Sequence, residues 1–468
     1  MTIPLTGFVQ QALLVGKGEG MHPLPVVEYP GRILMQSPDD VRKAVEILVP
    51  EIEKALTEPI EPHVESVVEP GPREIVFTGS LEEINEYFYE HQWSDGLPIV
   101  PPTIGNVEEF LKYTDRSPEE RIGVLKPGMG EATIWNIAVN GVMAGCRPEY
   151  MPILVTIVEV MADPQFGIEH AGSTPGWEAL IILNGPIRKQ LGFNCETGVF
   201  RPGCRPNISI GRFFRLYMRN VPGYLPAGTD KATFGQNFRP VLAENEEALA
   251  EIGWESLSVE RGFNADDNVV TISSCRHMSD PFKTTGYLAE QHLARMAGLM
   301  VKNQTYVWVA RGPVAPTLLI TPVTATKLSM DGYKKEDIRK YIYQYSKVPA
   351  YLFDKELQIE RLEETACKDV EEGILPPHFC ESDDPNRLLP ILHGHTPDDL
   401  LIVVSGDPNR NRNMICQGNG KQGYATSKKI ELPSNWEALI SALGKQKEVP
   451  IVIENPLLNQ TDHTRRKP

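Results

Sequence analysis

Apolar positions recur at helical spacing over several stretches of the chain. From Ser37 to Leu56, Val41, Ala44, Val45, Leu48 and Ile52 make one stripe, with Asp39 and Asp40 in the first turn, which predicts a helix. Leu81 to His91 reads as an acidic helix, and others follow from Val107, over Thr133 to Ala144, and from Pro148 to about Met161. Gly145 is placed to stop the third of these. Ser209 is expected to cap a helix from Ile210 to Asn220, and Tyr287–Val301 and Lys335–Tyr345 complete the helical set.

Short, uninterrupted apolar runs alternate with these helices. Glu74–Phe77, Ala179–Leu183, Val269–Ser273, Tyr306–Ala310, Leu318–Thr321 and Leu400–Ser405 read as strands. Such alternation predicts an α/β protein with mixed or mostly parallel sheets flanked by helices. Residues 1–75 read as an extension ending in a Pro/Glu-rich linker from Glu58 to Pro72, and 76–270 and 271–468 as two α/β halves. ALIILNGPIRKQLGF (179–193) and TLLITPVTATKLSMDGY (317–333) both read strand, Pro-containing turn, short helix, glycine. This echo raises a duplication, although the same spacing arises in unrelated α/β proteins.

Charge narrows the partners. The chain of 468 residues carries 46 Lys+Arg against 62 Asp+Glu, a net of −16, which argues against nucleic acid or an anionic membrane as partner. The apolar run Met151–Ala162 is too short to span a bilayer, and the N-terminus lacks a basic leading region, so neither a membrane span nor a signal peptide is expected. Cysteines stand at 146, 195, 204, 275, 367, 380 and 416, with no Cys-x-x-Cys. Scattered thiols in a long chain predict a reduced, cytoplasmic protein. A homo-oligomer is expected.

Within this acidic chain, Arg188 to Arg219 holds seven basic residues and one acid, a local +6. Arg212, Arg215 and Arg219 share one helical face. The stripe either focuses an anionic substrate or pairs with acids such as Glu244, Glu246, Glu247 and Glu251. Cys146 falls at the turn Gly145-Cys146-Arg147-Pro148-Glu149, ahead of a helix whose dipole would stabilise a thiolate, with Glu149 beside it. The competing reading is a small residue packed in a helix elbow. Asp95 is held by the proline-rich segment Leu97–Thr103. The turns Asn184-Gly185-Pro186 and Ser405-Gly406-Asp407-Pro408-Asn409 leave strands, where α/β proteins bind ligands. Neither is a Walker A loop and no suitably placed GxGxxG exists, so no cofactor is indicated. His393/His395 and Cys275/His277 lack the spacing of a strong metal motif.

WSDGLPIVPPT (93–103), NIAVNGVMAGCRPEYMPIL (136–154), IILNGPIRKQLGFN (181–194), RPNISIGRFFRLYMRNV (205–221), DKATFGQ (230–236), ENEEA (244–248) and VERGF (259–263) resemble a bacterial family related to, or encoded beside, UGSC-motif (seleno)proteins. The resemblance is dense over 80–275 and thinner at 318–350 and 396–409. It implies redox or thiol chemistry. Because this chain contains no Cys-Gly-Ser-Cys, a UGSC-type partner would have to supply any such centre.

The leading expectation is a cytosolic, thiol-dependent enzyme, an oxidoreductase or lyase, acting on a small organic anion. Cys146 would be the nucleophile or redox thiol, and Glu149 and Asp95 would move protons. Arg188 and Arg212 would bind the anion, with Asn140, Asn184 and Asn207 orienting it. The alternatives are a non-catalytic subunit or scaffold for a partner redox enzyme, and a metal-dependent hydrolase or lyase using His277, His393 or His395.

Overall fold

A computed structural model describes residues 1–443 except 22, 60–70, 72, 303–315, 362–365, 383, 391, 393–396 and 420–422. The predicted strand Tyr306–Ala310 and the histidines His393 and His395 lie outside the described residues. Among the described residues, those up to Pro433 form one compact unit, and 434–443 belong to a second.

The first segment holds α1 (Val9–Gly18) and α2 (Pro38–Thr57). Ser37 caps α2 through a reciprocal pair with Asp40, as the first-turn acids suggest. This segment is more than an extension. It buries Val27, Tyr29, Ala44 and Leu48 in a small core of its own, and Lys126 Nζ reaches Glu19 Oε1 at 2.6 Å. Glu74–Phe77 forms no strand.

Then come α3 (Leu81–Glu90), α4 (Ile104–Leu111), the hairpin β1 (Arg121–Leu125) and β2 (Gly130–Thr133), α5 (Ile134–Met143) and α6 (Met151–Met161). Pro148–Tyr150 is a separate 3-10 turn, so α6 starts later than predicted. The long apolar run is a buried core helix, and no described helix is long and apolar enough to cross a membrane. Helix α5 packs closely because of Gly141: a Cβ there would stand 2.7 Å from Leu154 Cδ1.

Next are β3 (Glu178–Asn184), α7 (Ile187–Gln190), α8 (Arg205–Asn220), β4 (Val241–Ala243), α9 (Glu246–Ile252), α10 (Leu257–Glu260) and β5 (Val269–Cys275). Ser209 does not cap α8. The helix starts at Arg205, with Pro206 in its first turn, and Ser209 Oγ donates back to Arg205 O. After β6 (His277–Met278) and β7 (Phe282–Lys283) come α11 (Ala289–Lys302), β8 (Thr317–Ile320), α12 (Pro322–Met330), α13 (Lys335–Tyr345) and β9 (Lys347–Pro349). The chain continues through α14 (Ala350–Arg361), α15 (Ala366–Glu371), β10 (Leu388–Pro390), β11 (Leu401–Val404), β12 (Arg412–Gln417) and β13 (Thr426–Lys429).

Two mixed sheets result, in an α/β fold. One runs β13-β5-β3-β4 and the other β6-β12-β8-β11. In each, the central strand (β3 or β8) pairs in parallel with the strand that follows its helices (β4 or β11) and antiparallel with the next (β5 or β12). The two central strands are those of the sequence echo. The parallel content is one pair per sheet, less than the apolar runs suggest.

The expected boundary at residue 270 falls inside β5, and β13 returns from near the end of the chain to the first sheet. The halves are therefore not sequential domains. Between the sheets lies a core of Leu180, Ile182, Leu242, Leu319, Leu401 and Val403, with Cys275 and Cys416. A second core gathers α11, α13 and α14 around Ile320, Phe353 and Ile402.

The cysteines also depart from expectation. Cys367 and Cys380 form a disulfide with Cα atoms 5.1 Å apart, so the thiols are not all free.

Candidate functional site

Of the predicted site residues, Asp95 and Arg212 meet directly. Arg212 Nη2 lies 2.8 Å from Asp95 Oδ1 and Nε lies 3.1 Å from Oδ2, and Nη2 also donates to Pro98 O at 2.9 Å. Burial works to raise the Asp95 carboxyl, but Arg212, with Arg239 behind it, outweighs this and holds it below the usual range. Further along the α8 face, Arg215 Nε binds Glu178 Oε1 at 3.0 Å and reaches Asp230, while Arg219 donates to Gln92 O at 2.5 Å. The stripe therefore clamps the segments at 92–98, 178 and 230 onto α8. Its charge is engaged inside the fold, with Arg212 and Asp95 committed to each other.

Cys146 sits beside this clamp, near Ser209 and Arg212, but the expected activation is missing. It is buried at the end of the α5 elbow, and burial pushes its thiol up to about 12 against the help of Ser209 and Arg212. The helix start that was to stabilise a thiolate is a 3-10 turn of three residues. Glu149 is buried and its carboxylate is taken by Arg147 Nε at 2.7 Å. These surroundings match the packed-elbow reading. Native Cys146 is expected to resist iodoacetamide until the chain unfolds; alkylation of folded protein with an apparent pKa near the free-thiol value of about 8.5 would overturn this.

Asn140 and Asn207 are hydrogen-bonded within the fold. Asn140 Nδ2 donates to Asn136 O and its Oδ1 accepts from Asn220 at 2.8 Å. Asn207 joins Asn194 to β4, donating to Asn194 O at 3.1 Å and Val241 O at 3.0 Å.

Asn184 and Arg188 form a separate group at the carboxyl ends of β3 and β4. Asn184 Nδ2 donates to Glu244 Oε2 at 2.8 Å and Glu246 Oε1 at 2.9 Å. Arg188 Nη2 binds Glu246 at 2.9 Å and Glu247 at 2.8 Å, pulling the Glu247 carboxyl down to about 2. Here the pairing with the acidic segment is realised, and Arg188 is not free for a substrate. The crevice position of the first sheet is thus filled by the chain's own ion pairs.

In the second sheet the corresponding place is open. A cavity of about 420 Å3 lies at the carboxyl ends of β8 and β11, lined by Thr321, Ser405, Gly406, Asp407, Arg412 and the loop Gly198–Arg201. Its floor is Leu242, Leu319 and Met414. The sequence dictates this shape. Gly406 turns the chain at φ +95°, which a larger residue would adopt only under strain. Ser405 Oγ donates to Ala243 O at 3.1 Å and Cys195 O at 3.0 Å, fixing the loop after α7 over the strand ends. Thr321 precedes Pro322 in the first turn of α12, so the positive end of that helix dipole starts at the cavity wall.

The electrostatics distinguish this cavity from the groove around Arg116. Arg201 and Arg412 have no acidic partner among the described residues. Arg412 also stands opposite Lys283 in the β7/β12 ladder, a like-charge pairing that is unfavourable without an anion nearby. Asp407 is the acid in the wall. By contrast, a wider groove of about 580 Å3 is lined by Arg116, Lys428 and Lys429. These are paired with Glu120 and Glu159, with Asp163, and with Asp267.

The metal expectation gains no geometry. Among the described residues no three His, Cys, Asp or Glu side chains group as a metal site would need. His277 is exposed while Cys275 is buried.

No family model, no curated protein and no solved structure matches this chain.

Proposed function

We propose that the protein is an enzyme acting on a small organic anion, such as a carboxylate or phosphate ester, bound in the cavity at the carboxyl ends of β8 and β11. The observation that carries this reading is the pair of guanidiniums, Arg201 and Arg412, that share one cavity wall without an acidic partner among the described residues, whereas Arg188, Arg212 and Arg215 are each paired with acids. Arg201 and Arg412 would hold the anion by charge-assisted hydrogen bonds. Asp407 would exchange a proton with it. The thiol-dependent chemistry expected of Cys146 is not part of this reading, because burial disfavours its thiolate. A cytoplasmic location rests on the scattered free thiols, and the Cys367–Cys380 bond weighs against it.

The test is a thermal-shift screen of small carboxylates and phosphate esters on wild type and Val199→Trp. Val199 lines the cavity, and the indole is expected to fill it. A compound that stabilises wild type should leave Val199→Trp unmoved. Equal shifts in both proteins would place the ligand elsewhere.

A second reading, a subunit that docks copies of itself or a UGSC-type partner, rests on a different observation. Phe234 is 100% exposed in the DKATFGQ segment, and Ile47 and Leu56 on α2 are 73% and 65% exposed. The same screen separates the two, since a chain that binds none of the anions leaves this second reading standing.

A further inference from the structure

The fold brings two free thiols together that no sequence motif pairs. Cys275 ends β5 in the first sheet, and Cys416 lies in β12 of the second. Both are in the core between the sheets, with relative exposures of 0% and 2%. The Cys275 thiol donates to His277 O at 3.7 Å, and its neighbour Cys416 together with burial pushes that thiol well above its ordinary range. The backbone fixes this meeting: Arg276 N donates to Gln417 O at 2.8 Å, and Gln417 pairs with His277 in the β6/β12 ladder. This ladder sets Cys416 opposite Met278, and the Arg276–Gln417 bond brings the strand ends that carry the two cysteines side by side.

A third group completes the cluster. Glu178 is the cross-strand partner of Cys275 in the β3/β5 ladder, and its carboxyl is held by Arg215 at 3.0 Å. Burial pushes this carboxyl up to about 7, against Arg215 and Arg239, so it exchanges protons near neutrality. Cys146 has no thiol neighbour of this kind, and neither the anion cavity nor the clamp on α8 uses the pair.

We propose that Cys275 and Cys416 are a dithiol redox centre, oxidised by a small peroxide to a disulfide that joins the two sheets. The Cys416 sulfur attacks the peroxide, because the Cys275 thiol keeps its proton. The O–O bond breaks, Cys416 becomes a sulfenic acid, and the thiol proton leaves with the oxygen as an alcohol or water. The Cys275 sulfur then attacks the sulfenic sulfur, forming the S–S bond and expelling hydroxide. Glu178 takes the Cys275 proton and passes it to that hydroxide, giving water. Two thiols are oxidised by two electrons and the peroxide is reduced by two. Cys416 and burial raise the Cys275 thiol, as burial raises that of Cys146, so the oxidation is expected to be slow and to need an oxidant as small as hydrogen peroxide.

The test treats the folded, full-length protein with hydrogen peroxide, blocks remaining thiols with iodoacetamide after unfolding, and maps the peptides without reductant. The expected product is the Cys275 peptide joined to the Cys416 peptide, lighter than their sum by two hydrogens, and separated again by dithiothreitol. In Cys275→Ala, Cys416 should instead accumulate as a sulfenic acid trapped by dimedone. Cys146→Ser should leave the cross-link intact. Recovery of both cysteines separately alkylated from peroxide-treated wild type would overturn the proposal. So would a cross-link of either cysteine to a different thiol. The wild-type map decides the question even if an alanine variant does not fold.

Discussion

Replacing Glu244 by alanine is expected to destabilise the protein by about 3–5 kcal/mol, the cost of breaking a buried pair by removing one partner. Glu244 is wholly buried, and its carboxylate accepts from Leu257 N at 2.6 Å, Asn184 Nδ2 at 2.8 Å, Lys335 Nζ at 3.1 Å and Val404 N at 3.3 Å. Those donors come from α10, the end of β3, α13 and β11. One carboxylate therefore fastens the first sheet to the second and to the helix that packs over it. Without it, Lys335 keeps only Glu260, at 3.2 Å, and buried N–H groups lose their acceptor. Net stabilities are typically about 5–15 kcal/mol, so the loss is a large share of the total. Glu244→Gln should fall between, since it keeps the volume but loses the charge that Lys335 needs. The double variant Glu244→Leu with Lys335→Met should recover part of the loss, because no unpaired charge stays buried. Urea unfolding of the four proteins measures this. An alanine variant within about 1 kcal/mol of wild type would show that the network is not holding the sheets together.

The local elements were legible because local chemistry decides them. The Ser37–Asp40 cap, the limits of α13 and the buried run of β3 follow from residues a few positions apart. The start of α8 was missed because Ser209 resembles a cap, while Pro206, compatible with a first helical turn, sets the true beginning. The domain boundary was missed because β13 pairs with β5 across about 150 residues, and no periodicity encodes such a partner. The charged island stands out in the sequence. Its local count could not tell Arg188, Arg212 and Arg215, which the fold gives acids, from Arg201, which it leaves at a cavity. The turn after Leu400–Ser405 was the better pointer, because strand-end loops are where parallel pairs open. Cys146 misled because a helix start in sequence says nothing of burial, and burial dominates its thiol.

If the cavity is the anion site, Arg412→Ala and Arg201→Ala should each weaken binding of the compound found by screening by about 5–30-fold, or about 1–2 kcal/mol. Charge-assisted hydrogen bonds are worth about 1.5–3 kcal/mol, and the lower range applies because both side chains remain largely solvated. The double variant should lose about 25-fold or more, and Arg412→Glu should abolish binding, since it places like charge against the ligand and against Asp407 in the same wall. Because these contacts face solvent, wild-type affinity should fall as ionic strength rises, and the arginine variants should show a shallower dependence. Arg212→Lys is the opposing control. It loses the forked contact with Asp95, so it should lower stability while leaving affinity for the anion unchanged. Isothermal titration on folded variants separates the two possibilities. If Arg212→Lys weakened binding while Arg201→Ala and Arg412→Ala did not, the anion would belong at the α8 clamp and the cavity would not be the site.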